Sequence, residues 1–256
     1  MSNKQFLEKA KQAALAAQDV ILKYFESGID VQLKGDLSPV TQADIETEQV
    51  IRGILSEAFP EHGFFGEETG KERQDADYLW LVDPIDGTKS FIRDTPFFST
   101  QIALMHKGEL IVGVSNAPAY GQMAWAARGE GAFLNDKPVK VSSVSKLDQA
   151  GLSTGNLKTL ASSPDRWLAF GSLVRQVNRL RGYGDFCHYH MLAAGQVEIV
   201  LESDVNILDI AALSVIVNEA GGCFTDLDNR PLSLETTSVL AAANPELHET
   251  VRRLVG

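Results

Sequence analysis

Apolar positions over residues 6 to 25 recur at helical spacing. Leu7, Ala10, Ala14, Ala17, Ile21 and Tyr24 share one face, which predicts an amphipathic helix ended by Gly28. Lys34 to Asp44 is polar around a Ser-Pro step and reads as a loop or short hairpin. A second helix follows, with Val50, Ile51, Ile54, Leu55 and Phe59 inward and Pro60 and Gly63 punctuating its end. The pattern then changes. Tyr78 to Val82 is an apolar run of strand type, followed by Ser99 to Met105, Leu110 to Ala117 and Gln122 to Ala127. The turn Lys107-Gly108 joins two of these runs, so a meander is expected. Beyond the turn Gly129-Glu130-Gly131, Phe133 to Val141 reads as another hairpin.

Residues 142 to 150 are polar and weakly patterned, the best place for a boundary between lobes 1–145 and 146–256 of one compact unit. Past it come a strand at Ala150 to Ser153 and a helix from Pro164 to Val177 with Ser163 as its cap. A short strand near Leu180, a helix from Phe186 to Ala194 ended by Gly195, and a strand at Val197 to Leu201 follow. Ile210 to Ala220 predicts a helix that is apolar nearly all round. Strands at Cys223 to Asp226 and Val239 to Ala243 precede a closing helix, Pro245 to Val255, capped by Asn244. Interleaved strands and helices without repeats predict an α/β layered sandwich.

Composition narrows the function classes. At 256 residues and 44% hydrophobic, the chain can bury a large core. No apolar run approaches the roughly 20 residues needed to cross a bilayer. The start, Met1-Ser2-Asn3-Lys4-Gln5, lacks the basic-then-apolar order of a secretion signal. Cys187 and Cys223 lie in apolar sequence without CxxC spacing, as expected of buried thiols in a reducing cytoplasm. Neither has an Arg six positions on, so the Cys-x₅-Arg pattern of cysteine phosphatases is missing. A net charge of −11 argues against nucleic acid and anionic membrane as partners. It would also repel a phosphate ester, unless the acids bind divalent cations and so invert the local charge.

The chemistry concentrates at Asp83-Pro84-Ile85-Asp86-Gly87-Thr88, directly after the strand Tyr78 to Val82. Two carboxylates, a backbone carbonyl and a glycine turn suit Mg²⁺ and a phosphate. The alternative is an Asx turn in which each Asp caps its own backbone. Glu67-Glu68, after Gly66, is a candidate ligand pair or a solvated surface pair. Asp209 is a candidate ligand or an ordinary N-cap. A carboxylate at the tip of a buried helix needs a partner, and a metal would serve.

Gly66-Glu67-Glu68, Asp83 to Thr88, and Leu208-Asp209-Ile210-Ala211-Ala212 with Ala220-Gly221-Gly222 occur together, with Ala43-Asp44 ahead of the second helix. In this combination, over nearly the whole chain, the sequence resembles the inositol monophosphatase family. The resemblance implies an inositol monophosphatase/fructose-1,6-bisphosphatase-like αβαβα sandwich, a homodimer, and a phosphatase that uses two or three Mg²⁺. Glu67, Asp83 and the Ile85 carbonyl would hold one ion, and Asp83, Asp86 and Asp209 another. A third, weaker ion would lie near Glu67. Thr88 with Glu67 would orient the attacking water, Asp44 would hydrogen-bond Thr88, and the N–H groups of Gly87 and Thr88 would bind phosphate. One departure is Leu208, where the family carries Trp.

For the alcohol released, several stretches look like the histidinol-phosphate phosphatase branch: Leu37 to Thr41, Gly87 to Ile92, Trp125 to Gly129, Tyr183-Gly184-Asp185 and Asn206 to Leu213. In that branch Asp185, Glu202 and Asn206 would contact the cationic amine and imidazole of the substrate. As an ordinary residue, Asp185 would cap the helix starting at Phe186. His188 and His190 can line the site, but core or surface roles are the expectation for both. The alternatives are hydrolysis of inositol monophosphates, related sugar phosphates or nucleotide bisphosphates, or a binding protein that keeps the fold without the chemistry.

Overall fold

In the computed structural model, which describes residues 2–27, 31–33 and 39–255, the chain opens with helix α1 (Asn3–Ser27), the small hairpin β1 (Val31–Leu33) and β2 (Pro39–Thr41), and helix α2 (Gln42–Ala58). The predicted stop at Gly28, and Lys34 to Ser38 of the predicted loop, lie outside the described residues. Next come β3 (Gly63–Gly66), β4 (Gly70–Glu72), β5 (Tyr78–Asp86), the single turn α3 (Thr88–Phe91), β6 (Ser99–His106), β7 (Glu109–Ala117), β8 (Gln122–Ala127), β9 (Ala132–Leu134) and β10 (Lys137–Val139). These strands from β3 onward form one sheet of order β10-β9-β8-β7-β6-β5-β3-β4. All its pairs are antiparallel except β3 with β5.

The second half supplies β11 (Gly151–Thr154), α4 (Lys158–Ala161), α5 (Pro164–Gln176), β12 (Arg179–Arg181), α6 (Asp185–Ala193), β13 (Ile199–Ser203), α7 (Ile207–Glu219), β14 (Cys223–Thr225), β15 (Ser238–Ala242) and α8 (Pro245–Val255). Its sheet runs β12-β11-β13-β15-β14. Strand β11 is parallel to both neighbours, and the remaining pairs are antiparallel.

Period-two alternation sorts the side chains into layers. In β5, Trp80 and Val82 face α1 and α2, while Leu79 and Leu81 face the middle of the molecule. In β15, Val239 and Ala241 face the same middle layer, and Leu240 and Ala242 face α5 and α8. The middle layer is α6 and α7. Because α7 lies between two sheets, Ile207, Leu208, Ile210, Leu213 and Ile216 are all buried on it, which is why no polar stripe was visible in its sequence. The result is the five-layer αβαβα sandwich, and one apolar cluster spans both sheets across α6 and α7.

Three local expectations are corrected. Strand β5 does not stop at Val82 but runs through Pro84 to Asp86. Helix α7 begins at Ile207, three residues before Ile210, because Asn206 occupies the cap. Ser163 holds the cap position of α5, yet its side chain makes no capping hydrogen bond.

Candidate active site

The extension of β5 creates the site. Asp83 pairs with Gln101 and Asp86 with Ser99, so three steps on β5 oppose two on β6, which is a β-bulge. In a regular strand Asp83 and Asp86 would point to opposite faces, because their separation is odd. The extra residue removes that difference and brings both carboxylates to one side. Pro84 is tolerated there because a bulge excuses the missing N–H, and its carbonyl accepts from Thr100 Oγ1 at 2.9 Å. Gly87 ends the bulge at φ +92°, and an added Cβ would meet the Phe97 carbonyl at 2.6 Å.

The turn caps itself at Asp83, yet its carboxylates also converge with Asp209. Asp83 Oδ1 accepts from the Ile85 N–H at 3.0 Å, an Asx turn. Ligand oxygens of Asp83, Asp86 and Asp209 nevertheless lie within 4.8 Å of one another. Asp209 arrives from α7, where it completes a capping box. Asn206 N–H donates to its Oδ2 at 2.9 Å and Asn206 Nδ2 to its Oδ1 at 2.6 Å, while Leu208 N–H donates to Asn206 Oδ1 at 2.7 Å. Asn206 is thus committed to the cap and to Asp209, a different task from the substrate contact expected of it. Leu208 is 4% exposed and packs in the middle layer, so the departure from Trp leaves this helix tip packed.

Glu67 follows β3, with its N–H on the Val82 carbonyl at 3.2 Å. It stands close enough to Asp83 for its charge and a hydrogen bond to act there. Thr88 Oγ1 lies 3.0 Å from the Ile85 carbonyl and 3.4 Å from Asp44 Oδ1. The other Asp44 oxygen is held by Thr41, through its N–H at 2.7 Å and hydroxyl at 2.6 Å.

Electrostatics mark the cluster as wanting positive charge. Burial pushes Asp83 well above the carboxylate range, and Glu67, Asp86 and Asp209 push it further. Burial does the same to Asp86, aided by Asp185, Asp209 and Glu202. Asp209 is raised to about 7, again by burial first. Three hard, converging carboxylates that repel one another fit a divalent cation, whose charge would reverse each of these shifts.

A small cavity of about 30 Å³ adjoins the cluster, lined among others by Asp86, Asn156, Asp185, Tyr189, Glu202 and Asp209. Asp185 is the first residue of α6, at φ +46°, and makes no capping bond; Gly184 holds the cap position. Burial, then the Glu202 charge, raises its carboxyl. Glu202 is nearly encased: Tyr189 Oη donates at 2.6 Å, Asn156 N–H at 3.1 Å, and His188 Nε2 lies at 3.0 Å. Burial opposes its ionisation, but His188, Tyr189 and Asn156 outweigh that and hold it below the usual range. Nothing in the sequence singled out Tyr189 or Asn156, since both reach the cavity only in the folded chain, where they bond Glu202. His190 is buried against Ser115 and Gln122, in the core role expected. A larger hollow of about 840 Å³ lies on the far side of Val205, but its Arg166 and Arg230 are paired with Asp226 and Asp228. Among the described residues it leaves no unpaired cation for a phosphate, and the convergence of carboxylates is found instead at the smaller cleft, where Asp86 and Asp209 lie.

The model of the inositol monophosphatase family matches residues 2–256. The chain belongs to that family. It is accordingly a phosphatase, and other inositol monophosphatase family members bracket it closely. A histidinol-phosphatase of Mycobacterium tuberculosis is 43% identical over 77% of this chain and 78% of its own length. One from Chlorobaculum parvum is 36% identical over 93% and 92%. Among solved structures, an inositol monophosphatase from Zymomonas mobilis superposes with a TM-score of 0.88 at 32% identity, covering 100% of this chain and 99% of its own. No helix among the described residues is long and apolar enough to cross a membrane.

Proposed function

We propose that the chain is a Mg²⁺-dependent phosphomonoesterase whose substrate is histidinol phosphate. The observation that carries the substrate is Asp185, a further carboxylate in the cleft beside the Asp83–Asp86–Asp209 cluster. A carboxylate there would repel a phosphate but suits the cationic amine of the alcohol being released. Similarity to the two histidinol-phosphatases supports the same choice.

Glu67, Asp83, the Ile85 carbonyl, Asp86 and Asp209 would hold the cations, in number two or three. Bound there, they would activate a water and neutralise charge on the phosphate and the departing oxygen. The chain's own residues do the positioning. The single hydroxyl proton of Thr88 is committed toward Ile85 O or Asp44 Oδ1, so its lone pairs face outward to accept a hydrogen bond from the attacking water and orient it. Glu67 is the second acceptor for that water. The N–H groups of Gly87 and Thr88 are the phosphate donors. Glu202, with its lone pairs largely taken by Tyr189 and Asn156, shapes the wall that presents Asp185. We further propose a homodimer in the cytoplasm; both cysteines are free, as a reducing compartment favours.

The test is a panel of phosphate monoesters with Mg²⁺ and purified enzyme. Histidinol phosphate is expected to exceed inositol 1-phosphate and nucleotide bisphosphates in kcat/KM. Equal or faster turnover of inositol 1-phosphate would overturn the substrate, and no turnover of any ester would overturn the activity.

A further inference from the structure

The geometry points to Glu48 as a positioning residue that sets the Glu67 turn for cation binding, an inference that rests on the metal reading above. Glu48 lies on α2 with no exposed surface. Among the described residues no basic side chain pairs with it, so the usual compensation for a buried carboxylate is missing. Its two oxygens instead accept the N–H groups of Glu68 and Thr69, both at 2.8 Å. Those amides belong to the tight connection between β3 and β4, where Gly66 pairs with Gly70 and Glu67 is the first residue out of the strand. Glu48 therefore grips the turn from below by its backbone.

Gly66 shows how close the grip is. A Cβ added there would meet Glu48 Oε2 at 2.4 Å and Oε1 at 2.6 Å, so the carboxylate fills the space a side chain would occupy. Glu67 is then fixed on two sides: its own N–H is tied to Val82 in β5, and the two residues after it are tied to α2. Charged hydrogen bonds to backbone amides in a dry site are strong and directional.

Asp44 and Glu48 stand one helical turn apart on α2, both buried and both on its inner face. Asp44 reaches Thr88 and Glu48 reaches the turn that carries Glu67. One rigid helix thus sets the separation between the two groups that hold the attacking water. A shift of the turn by a fraction of an ångström would move Glu67 away from Asp83 and weaken the first cation site.

Glu48→Gln keeps the shape but sets an NH₂ group against a backbone N–H. Mg²⁺ binding is measured by isothermal titration of the full chain, alongside metal-free melting and the Mg²⁺ dependence of kcat. The expected result is cation affinity weakened about tenfold or more, as for other residues that orient ligands, with KM for substrate at saturating Mg²⁺ within about twofold of the parent. Gly66→Ala, which removes no carboxylate but displaces the Glu48 head, is expected to shift affinity the same way. Ile51→Val, a core substitution on the same helix, is expected to lower melting without moving affinity. A folded Glu48→Gln protein that binds Mg²⁺ like the parent overturns the inference, as does an equal shift in Ile51→Val. If Glu48→Gln does not fold, Gly66→Ala decides by the same criterion. A parent protein that binds no Mg²⁺ overturns the metal reading itself.

Discussion

Thr88 has one proton and two acceptors within reach, Ile85 O and Asp44 Oδ1. Replacement by Ala removes the hydroxyl that would orient the attacking water while leaving the carboxylates and the Gly87 turn in place. Thr88→Ala is therefore expected to lower kcat by about 10²-fold, the cost of misplacing a reacting group by about 1 Å. KM should stay near its parent value, and steady-state kinetics at saturating Mg²⁺ reads the split. Asp185 predicts the opposite pattern. In the proposed substrate pose it would touch the alcohol and not the reacting phosphorus, so Asp185→Asn is expected to raise KM for histidinol phosphate about 10- to 100-fold, the worth of a charged hydrogen bond. Turnover of inositol 1-phosphate should change little or improve. A uniform loss on both esters would show that Asp185 serves the fold and not the choice of alcohol.

At the scale of elements, the functional carboxylates owe their convergence to two local devices, the bulge in β5 and the capping box of α7. The capping box makes a prediction of its own. Asn206→Ala is expected to cost about 0.5–2 kcal/mol through the lost N-cap. Because Asn206 Nδ2 also orients Asp209, the same substitution should weaken Mg²⁺ binding, measured by titration, where a plain cap loss elsewhere would not. These devices also explain what was legible beforehand. The Asp83 to Thr88 motif, the long helices and the β6–β7–β8 meander declared themselves by spacing and periodicity. The strand's continuation through Pro84 did not, because proline normally ends a strand and only the partner β6 reveals the two-against-three register. Strands β3 and β4 were hidden too: Gly63-Phe64-Phe65-Gly66 is four residues with glycine at both ends and looks like the punctuation after α2. Contacts that depend on the folded neighbourhood, such as Tyr189 and His188 on Glu202 or Glu48 under Gly66, leave no mark in the linear pattern.

Across the whole molecule, the acid cluster and the buried histidines pull stability in opposite directions with pH. Asp209 holds its proton up to about 7 in the metal-free fold, against about 3.9 in the unfolded chain. Between those values the native state binds the extra proton, so this contribution stabilises the metal-free fold as pH falls and is lost as pH rises through 7. Asp83 and Asp86 act in the same direction. His190, pushed down to about 3 by burial, and His62, pushed down to about 4 by burial first, do the reverse. Below about 6.5 the unfolded chain takes protons that the native imidazoles refuse, so stability falls with pH there. A cation competes with protons only at the carboxylates. The melting-temperature difference between Mg²⁺-saturated and chelator-treated protein is thus expected to be largest near about pH 8 and to shrink toward about pH 5.5, where protons already neutralise the cluster. With Mg²⁺ saturating, the acid-side decline that remains should be that of the histidines, and His190→Gln should flatten part of it. Melting scans across this pH range, with and without Mg²⁺, read both effects. A difference that does not vary with pH would mean that the cation is not held by Asp83, Asp86 and Asp209.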